Sequence, residues 1–456
     1  MKLIYGIKDK PKFGQIIIFA IQQLLAIMAA TLVVPVIINT SGSMPAGAPA
    51  MSSAAALFGA GVGTLIYLLF TRFKSPVFLG SSFAFIGPMC AAFAGAASVQ
   101  AGYLGLIIGA AFAGLVYVLI AIIVKFAGVK WIAKLMPAVV IGPTVAIIGL
   151  SLAGNAIGDL QTAPAGGSVY IAILCGLVTL AVTMLCATFG KKMIRLIPFI
   201  MGILAGYAVA AIFTIIGDAA EIDALKVINF APLTNLFTDF SVQSIVSGPE
   251  FTVAEAIKGV KDIDGAYLGT VAVAYAPVAL VVFAEHIADH KNLSTIIEQD
   301  LLEEPGLHNT LLGDGVGSIA GSIFGGCPNT TYGESVGCVA ITGNASVITI
   351  TVTAILAIAI SFLSPFVAFV NTIPSCVMGG VCMALYGFIA VSGLKMIQKV
   401  DLEQNRNLFV VSVILITGIG GLTVSFGKVT LTTIACALIL GILANLMLGI
   451  KDKKNK

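Results

Sequence analysis

Apolar runs long enough to cross the hydrocarbon core of a bilayer, about 20 residues each, recur from near residue 14 to near residue 449. This recurrence constrains the fold more than any motif does. Only 10% of the 456 residues are Asp, Glu, Lys or Arg, and 59% are hydrophobic. A soluble domain carries about 25% charged residues, so water cannot be the main solvent, and the whole chain reads as one all-α integral membrane unit. The polar start MKLIYGIKDKPKFG leads into a first apolar run, Gln15 to Ile38, long enough to remain as a span, so no cleavable signal peptide is expected. The eight cysteines lie scattered in apolar segments without a CxxC pair, which points away from a metal site or a disulfide framework. The net charge of +3 reflects loops and termini rather than a nucleic-acid surface.

Gly, Pro and charge punctuation divide the runs into fourteen candidate spans, at about 14–38, 50–71, 78–96, 103–124, 132–153, 168–189, 196–217, 268–289, 308–325, 329–342, 346–368, 372–394, 407–424 and 429–449. The third, ninth and tenth are short or interrupted. With both termini cytoplasmic, all but four of the 24 basic residues fall inside, as cytoplasmic loops require. The four are Lys226, Lys258 and Lys261 in the long outer segment and Lys428 in a short outer turn. That long segment, from about Gly217 to Ala266, is acidic and is expected to hold amphipathic pieces at the outer surface.

Two motifs occur twice. Pro137 to Gly142, leading into the fifth span, matches Pro374 to Gly379, leading into the twelfth; Ser81-Ser82-Phe83-Ala84 in the third echoes Thr330-Thr331-Tyr332-Gly333 in the tenth. A seven-span unit copied once enters the membrane from opposite sides, the inverted-repeat plan of many secondary transporters. The second pair lies in interrupted segments, where a broken helix exposes free backbone groups at mid-membrane.

Carboxylates inside a span cost on the order of 2.5 to 3.5 kcal/mol on the insertion scale, so each is a candidate functional residue. The eighth span carries Glu285, His286, Asp289 and His290, the tenth Glu334 and the ninth Asp314. Glu285 and Asp289, spaced i, i+4, share one helix face. Glu334 follows Gly333, which has no side chain to keep a ligand from its amide. Two carboxylates that accept and amides that donate suit a planar molecule with alternating NH and C=O groups, and Phe83 or Tyr332 can cover its ring. Plainer readings stand beside these. Glu285 can be a packing carboxylate, and Asp289 a surface residue beside Lys291. His286 can face solvent or a backbone carbonyl, Asp314 can cap the ninth helix, and Phe83 can be packing.

Five stretches go further: Phe78 to Phe85 (FLGSSFAF), Ala284-Glu285-His286, Glu304 to His308 (EPGLH), Pro328 to Glu334 (PNTTYGE), and Ile373-Pro374 to Gly379. On these the chain resembles the nucleobase-ascorbate transporter family, and within it the bacterial uracil permeases, along nearly its full length. The resemblance implies fourteen spans in two inverted seven-span repeats, with short strands in the broken spans 3 and 10. It implies a core domain at 14–126 and 268–368, a gate domain at 131–217 and 372–449, and an outer loop at 218–267. Carried over by position, Glu285 and Glu334 bind a nucleobase through their carboxylates, Phe83 and Gly333 through backbone amides, and Tyr332 and Tyr386 line the site. The chain departs from the family pattern at Gln22-Gln23, where Gln-His is usual, and at Glu334-Ser335-Val336-Gly337, where Glu/Gln-Asn-x-Gly is usual. Asp289 stands where some uracil permeases have His, and Asp314 replaces an amide. Gln23, Asp314 and Ser335 are therefore supporting positions.

The implied activity is proton-coupled import of a nucleobase, uracil first, with core moving against gate. Burial disfavours the charged form of a carboxylate, so substrate and proton enter together, with Glu285 as the coupled group and Asp289 as relay. Acidic residues at 289 and 314 also occur in purine-transporting relatives, which makes xanthine or urate the alternative substrate; Glu rather than Gln at 334 favours a pyrimidine. An anion carrier of the same fold or a passive channel are rivals. No HExxH or GxSxG motif points to an enzyme, and no catalytic residue or cofactor other than the coupling proton is expected. The expected setting is the inner (plasma) membrane, as a homodimer that binds no nucleic acid.

Overall fold

The computed structural model describes residues 3–449 apart from 46, 129–136, 192, 239–240 and 427–428. Lys2, Lys130, Lys134, Lys192, Lys428 and the basic residues after Gly449, on which part of the orientation argument rests, lie outside the described residues. So do the first residues of the fifth predicted span and the boundary set at residue 131.

Helix is the dominant state, because a segment in hydrocarbon has to satisfy its own backbone hydrogen bonds. The principal helices are α1 (Phe13–Thr40), α2 (Ser53–Phe70), α3 (Ile86–Ala94), α4 (Val99–Ala127), α5 (Ala138–Ser151), α6 (Val169–Phe189), α7 (Pro198–Ala219), α8 (Gly265–Ile297), α9 (Leu307–Gly325), α10 (Gly333–Thr342), α11 (Val347–Ser361), α12 (Ser375–Ile397), α13 (Asn405–Ile419) and α14 (Thr433–Gly449). One falls in each of the fourteen candidate segments. Among the described residues, eight are long and apolar enough to cross a membrane by length and composition. They are α1, α2, α4, α6, α7, α8, α12, and α5 taken with the short helix Ala153–Leu160 that continues it.

The two interrupted segments break as their Gly and Pro content predicts. Strand β1 (Leu79–Ser81) runs through one turn of 3-10 helix, Phe83–Phe85, into α3, and strand β2 (Asn329–Thr331) leads into α10. The strands pair antiparallel, Leu79 opposite Thr331 and Ser81 opposite Asn329. The other repeated motif also takes one structure in both copies, with Pro137 as the N-cap of α5 and Pro374 as that of α12.

Helices meet where glycines let backbones touch. On α2 and α9, a Cβ added at Gly59 would lie 2.6 Å from the Gly321 carbonyl oxygen, and one at Gly63 2.8 Å from that of Gly317. This is the small-xxx-small packing that replaces the hydrophobic drive absent inside a membrane. Helices α5 and α12 approach as closely at Gly149, where a Cβ would lie 2.3 Å from the Tyr386 carbonyl oxygen. Apolar side chains fill the remaining space. One cluster joins α4, α5, α8 and α12 through Tyr117, Ile147, Phe283 and Leu385; another joins α1, α2, β1 and α11 through Ile27, Leu57, Leu79 and Ile350.

Two regions differ from the sequence reading. The thirteenth helix stops at Ile419, and a hairpin of β3 (Val424–Phe426) and β4 (Val429–Leu431) follows, so strands are not confined to the third and tenth segments. The expected eleventh span ends at Ser361, and a separate helix, Ser364–Thr372, follows with Pro365 in its first turn, where proline is tolerated. The long segment between α7 and α8 carries short helices at Ala231–Thr238 and Thr252–Ala256. It is pinned by Phe251, whose ring meets Phe58 and Phe324 edge-on at centroid distances of 4.8 and 5.4 Å.

Candidate functional site

A cavity of about 440 Å³ opens where β1, β2 and the helices they feed meet α8 on one side and α5, α7 and α12 on the other. Its two walls differ in chemistry. The strand and α8 side presents Ser82, Phe83, Glu285, Asp289, Thr331, Tyr332, Gly333 and Glu334, whereas the opposite side presents Ile141, Val145, Ile148, Phe199, Leu385, Phe388, Ile389 and Met396, with Ser392 as its one polar residue. Among the described residues, no Lys or Arg lines it.

Helical spacing sets the carboxylates: Glu285 and Asp289, one turn apart on α8, both reach the cavity. Asp289 accepts from the Thr331 hydroxyl at 3.1 Å, so it is not the surface residue beside Lys291 that the plainer reading allowed. An added Cβ at Gly333 would lie 3.7 Å from Asp289 Oδ1; glycine there keeps the start of α10 open to a ligand. Neither α10 nor the 3-10 turn at Phe83 has a side-chain N-cap. Helix N-termini carry unpaired amides and a partial positive charge, so two sets of donors lie beside three carboxylates on the same wall of the cavity.

Tyr332 is buried over the strand pair, its hydroxyl donating to the Ser81 carbonyl at 2.7 Å. Its ring lies over Gly80, where an added Cβ would come within 2.4 Å of it. Phe83 is half-buried and meets Tyr386 edge-on at 6.2 Å. Tyr386 is not among the residues lining the cavity; it is 2% exposed and its ring meets that of Phe83.

Gln23 and Ser335 stand one layer back. The Gln23 amide donates to the Ser335 hydroxyl oxygen, which also accepts from the Phe78 backbone N–H at 3.0 Å. Ser335 therefore ties α1 to the entry of β1. Replacing it with Ala leaves the buried Phe78 N–H without its acceptor and the Gln23 amide with only the Ser335 carbonyl, at 3.3 Å, a cost of about 1–3 kcal/mol, and a lower thermal midpoint of the purified protein is the expected result. An unchanged midpoint would remove this network from the account of the fold.

Asp314 and His286 correct two further readings. Asp314 is in the interior of α9 rather than at its N-cap, and His286 faces neither solvent nor a backbone carbonyl. Both are 0% exposed, with His286 Nδ1 2.7 Å from Asp314 Oδ2 and Nε2 2.9 Å from the Thr310 hydroxyl. The sequence reading also passed over Asp159, which is 7% exposed. It lies beyond the expected end of the fifth span at 153, on the helix Ala153–Leu160, which carries it back against α12.

The profile of the Permease family matches residues 14–426. The uracil permease of Bacillus subtilis (strain 168) is 37% identical over 455 residues, covering 98% of this chain and 95% of the relative. That of Bacillus caldolyticus is 36% identical over 450 residues with the same coverage. Among solved structures, the transmembrane domain of a cyanobacterium bicarbonate transporter, BicA, superposes with a TM-score of 0.61 at 14% identity, covering 97% of this chain and 99% of that one. The murine Solute Carrier 26 family member A9 anion transporter gives 0.62 at 12%, covering 98% and 69%. At such identity these two share the fold alone. The sequence relatives carry the assignment: this multi-pass membrane protein is a permease rather than an enzyme, and it belongs to the nucleobase-ascorbate transporter family.

Proposed function

We propose that the chain imports a nucleobase, uracil first, together with a proton, by alternating access. The observation that carries this reading is the division of the cavity: carboxylates and open helix N-termini on one side, an almost wholly apolar wall on the other. Uracil is a planar ring with alternating NH and C=O groups. Carboxylates accept from its NH groups and helix amides donate to its C=O groups. Glu285 and Glu334 are the substrate carboxylates, Phe83 and Gly333 supply amides, and Tyr332 closes the site beneath the ring. The names of the sequence relatives support uracil as the substrate. The wall formed by α5, α7 and α12 makes few directional bonds, so it can slide past the polar face at little cost, which supports a gate at 131–217 and 372–449 moving on a core at 14–126 and 268–368.

The antiparallel pairing of β1 with β2 is the arrangement two inverted seven-span repeats produce, and it supports the fourteen-span plan. The cavity reaches Ser392 and Met396, beside Lys395, which supports an inward-facing state in an inner membrane with cytoplasmic termini. Glu285 is the proton-coupled carboxylate and Asp289 its relay, and the working unit is a homodimer. Proteoliposomes with an inward proton gradient are expected to take up labelled uracil, with unlabelled uracil competing and ascorbate not. Competition by xanthine or urate with no uracil uptake would transfer the substrate to the purines, for which Asp289 is the favouring residue.

A further inference from the structure

The surface of α9 that faces away from the strands carries a stripe of its own. His308, Leu312, Val316 and Ile319 recur at helical spacing and are all half-buried. Glycine contacts fix the helices on either side. An added Cβ at Gly313 would lie 3.1 Å from Phe70 Cβ on α2, and one at Gly315 3.0 Å from Tyr117 Cβ on α4. The stripe is therefore the floor of a groove between α2 and α4. Its rims are apolar and open, with Leu69 of α2 and Ile122 of α4 both exposed.

One end of the groove is cationic. Helix α4 runs antiparallel to α9, with Gly114 against Ile319 and Tyr117 against Gly315. From that contact Lys125 is eight residues further along α4 and His308 seven residues back along α9, about 12 and about 10 Å at the rise of a helix, so the two stand at one level. Arg72 lies two residues past Phe70, the last residue of α2. The charges of both Lys125 and Arg72 act on the His308 ring. Both cations are exposed, and neither enters an ion pair among the described residues. In the turn before α9, Glu304 is taken by Lys74, and Glu303 is exposed. Aromatic rings flank the cations: Phe73 beside Arg72 and Phe126 beside Lys125 are 46% and 82% exposed. Aromatic and basic side chains together mark the headgroup level of a bilayer.

We propose that this groove binds an anionic phospholipid, with its phosphate held by Arg72 and Lys125 beside His308 and one acyl chain laid along Leu312, Val316 and Ile319. Two unpaired cations select a net negative headgroup over a zwitterionic one, whose ammonium they repel. A free anion would engage the cations and leave the apolar floor bare. The site is on the side that bears Lys74 and the start of α1, the inner leaflet on the topology proposed above. None of these residues lines the substrate cavity, and the site stands whichever nucleobase is carried.

Delipidated full-length protein in a neutral detergent, titrated with phosphatidylglycerol or phosphatidylcholine of the same chains and followed by native mass spectrometry, tests the assignment. The expected result is one phosphatidylglycerol bound about tenfold more tightly than phosphatidylcholine, since each cation near a headgroup favours the anionic lipid severalfold. The preference is expected to fall below about twofold in Arg72→Gln/Lys125→Gln and to weaken with salt. Equal binding of the two lipids by the parent chain, or a preference retained in the double variant, overturns the site. Lys191→Gln removes an exposed cation beyond the end of α6 and is expected to keep the preference; an equal loss there marks general charge attraction and overturns it too. Leu312→Trp fills the groove and spares both cations, so it separates lipid from ion and serves should the double variant not fold. It is expected to weaken phosphatidylglycerol at least about fivefold, a loss of acyl-chain burial. Unchanged affinity in Leu312→Trp, or competition by glycerol phosphate as strong as by the lipid, overturns the lipid assignment.

Discussion

Glu285→Gln is expected to lose gradient-driven accumulation of substrate and to weaken its binding by one to two powers of ten. The side chain lines the cavity on α8, one turn from Asp289. A hydrogen bond to a charged acceptor contributes about 1.5–3 kcal/mol, and the amide offers a weaker acceptor that holds no exchangeable proton. Gln matches Glu in volume, so helix packing and thermal stability stay at the parent level. The loss is therefore read in transport and binding rather than in yield. Equilibrium binding of labelled uracil and uptake under an imposed proton gradient measure the two parts separately. Continued accumulation against a gradient by Glu285→Gln would remove this residue from the coupling step.

Gly321→Leu has the largest expected effect on the fold. A Cβ at this position would lie 2.3 Å from Asn329 Nδ2, the atom that donates to the Gly59 carbonyl at 2.9 Å. The Ser318 hydroxyl donates to the Asn329 carbonyl at 2.6 Å. Asn329 is thus held from both helices while it pairs with Ser81 in the strand ladder. A leucine cannot enter without parting α2 from α9 and displacing β2. Overpacking costs about 1–3 kcal/mol, and the buried hydrogen bonds of Asn329 add about 1–3 kcal/mol. Loss of the monodisperse, folded species on size exclusion is the predicted outcome. Gly154→Ala, at an exposed position with nothing within 4 Å, is the control and is expected to be neutral. Equal melting of the two variants would show that backbone contact does not hold these helices together.

The chemistry of the site was easier to read from sequence than its geometry. Glu285, Asp289 and Glu334 stand out because ionisable residues are rare in apolar segments and costly there. The i, i+4 spacing put the first two on one face without any tertiary information. The same arithmetic puts His286 and His290 together on another face, a reading the sequence analysis did not make; the rings stack at 4.0 Å. The partner of His286 was out of reach, because Asp314 lies 28 residues away on a different helix. Tyr386 was placed at the site only by its position in a family pattern; in the structure its buried ring meets that of Phe83.

What the sequence alone determined is the solvent and the local periodicity: apolar runs that must become helices in hydrocarbon, Gly and Pro interruptions where two helices break, and the faces on which carboxylates fall. These depend on residues within a turn or two of one another. Tertiary structure decided which faces meet. It paired β1 with β2 across some 250 residues, set a polar face opposite an apolar wall, and buried a histidine against an aspartate. Such contacts depend on how closely backbones approach at a few glycines, and that is a property of the assembled helices rather than of any one segment.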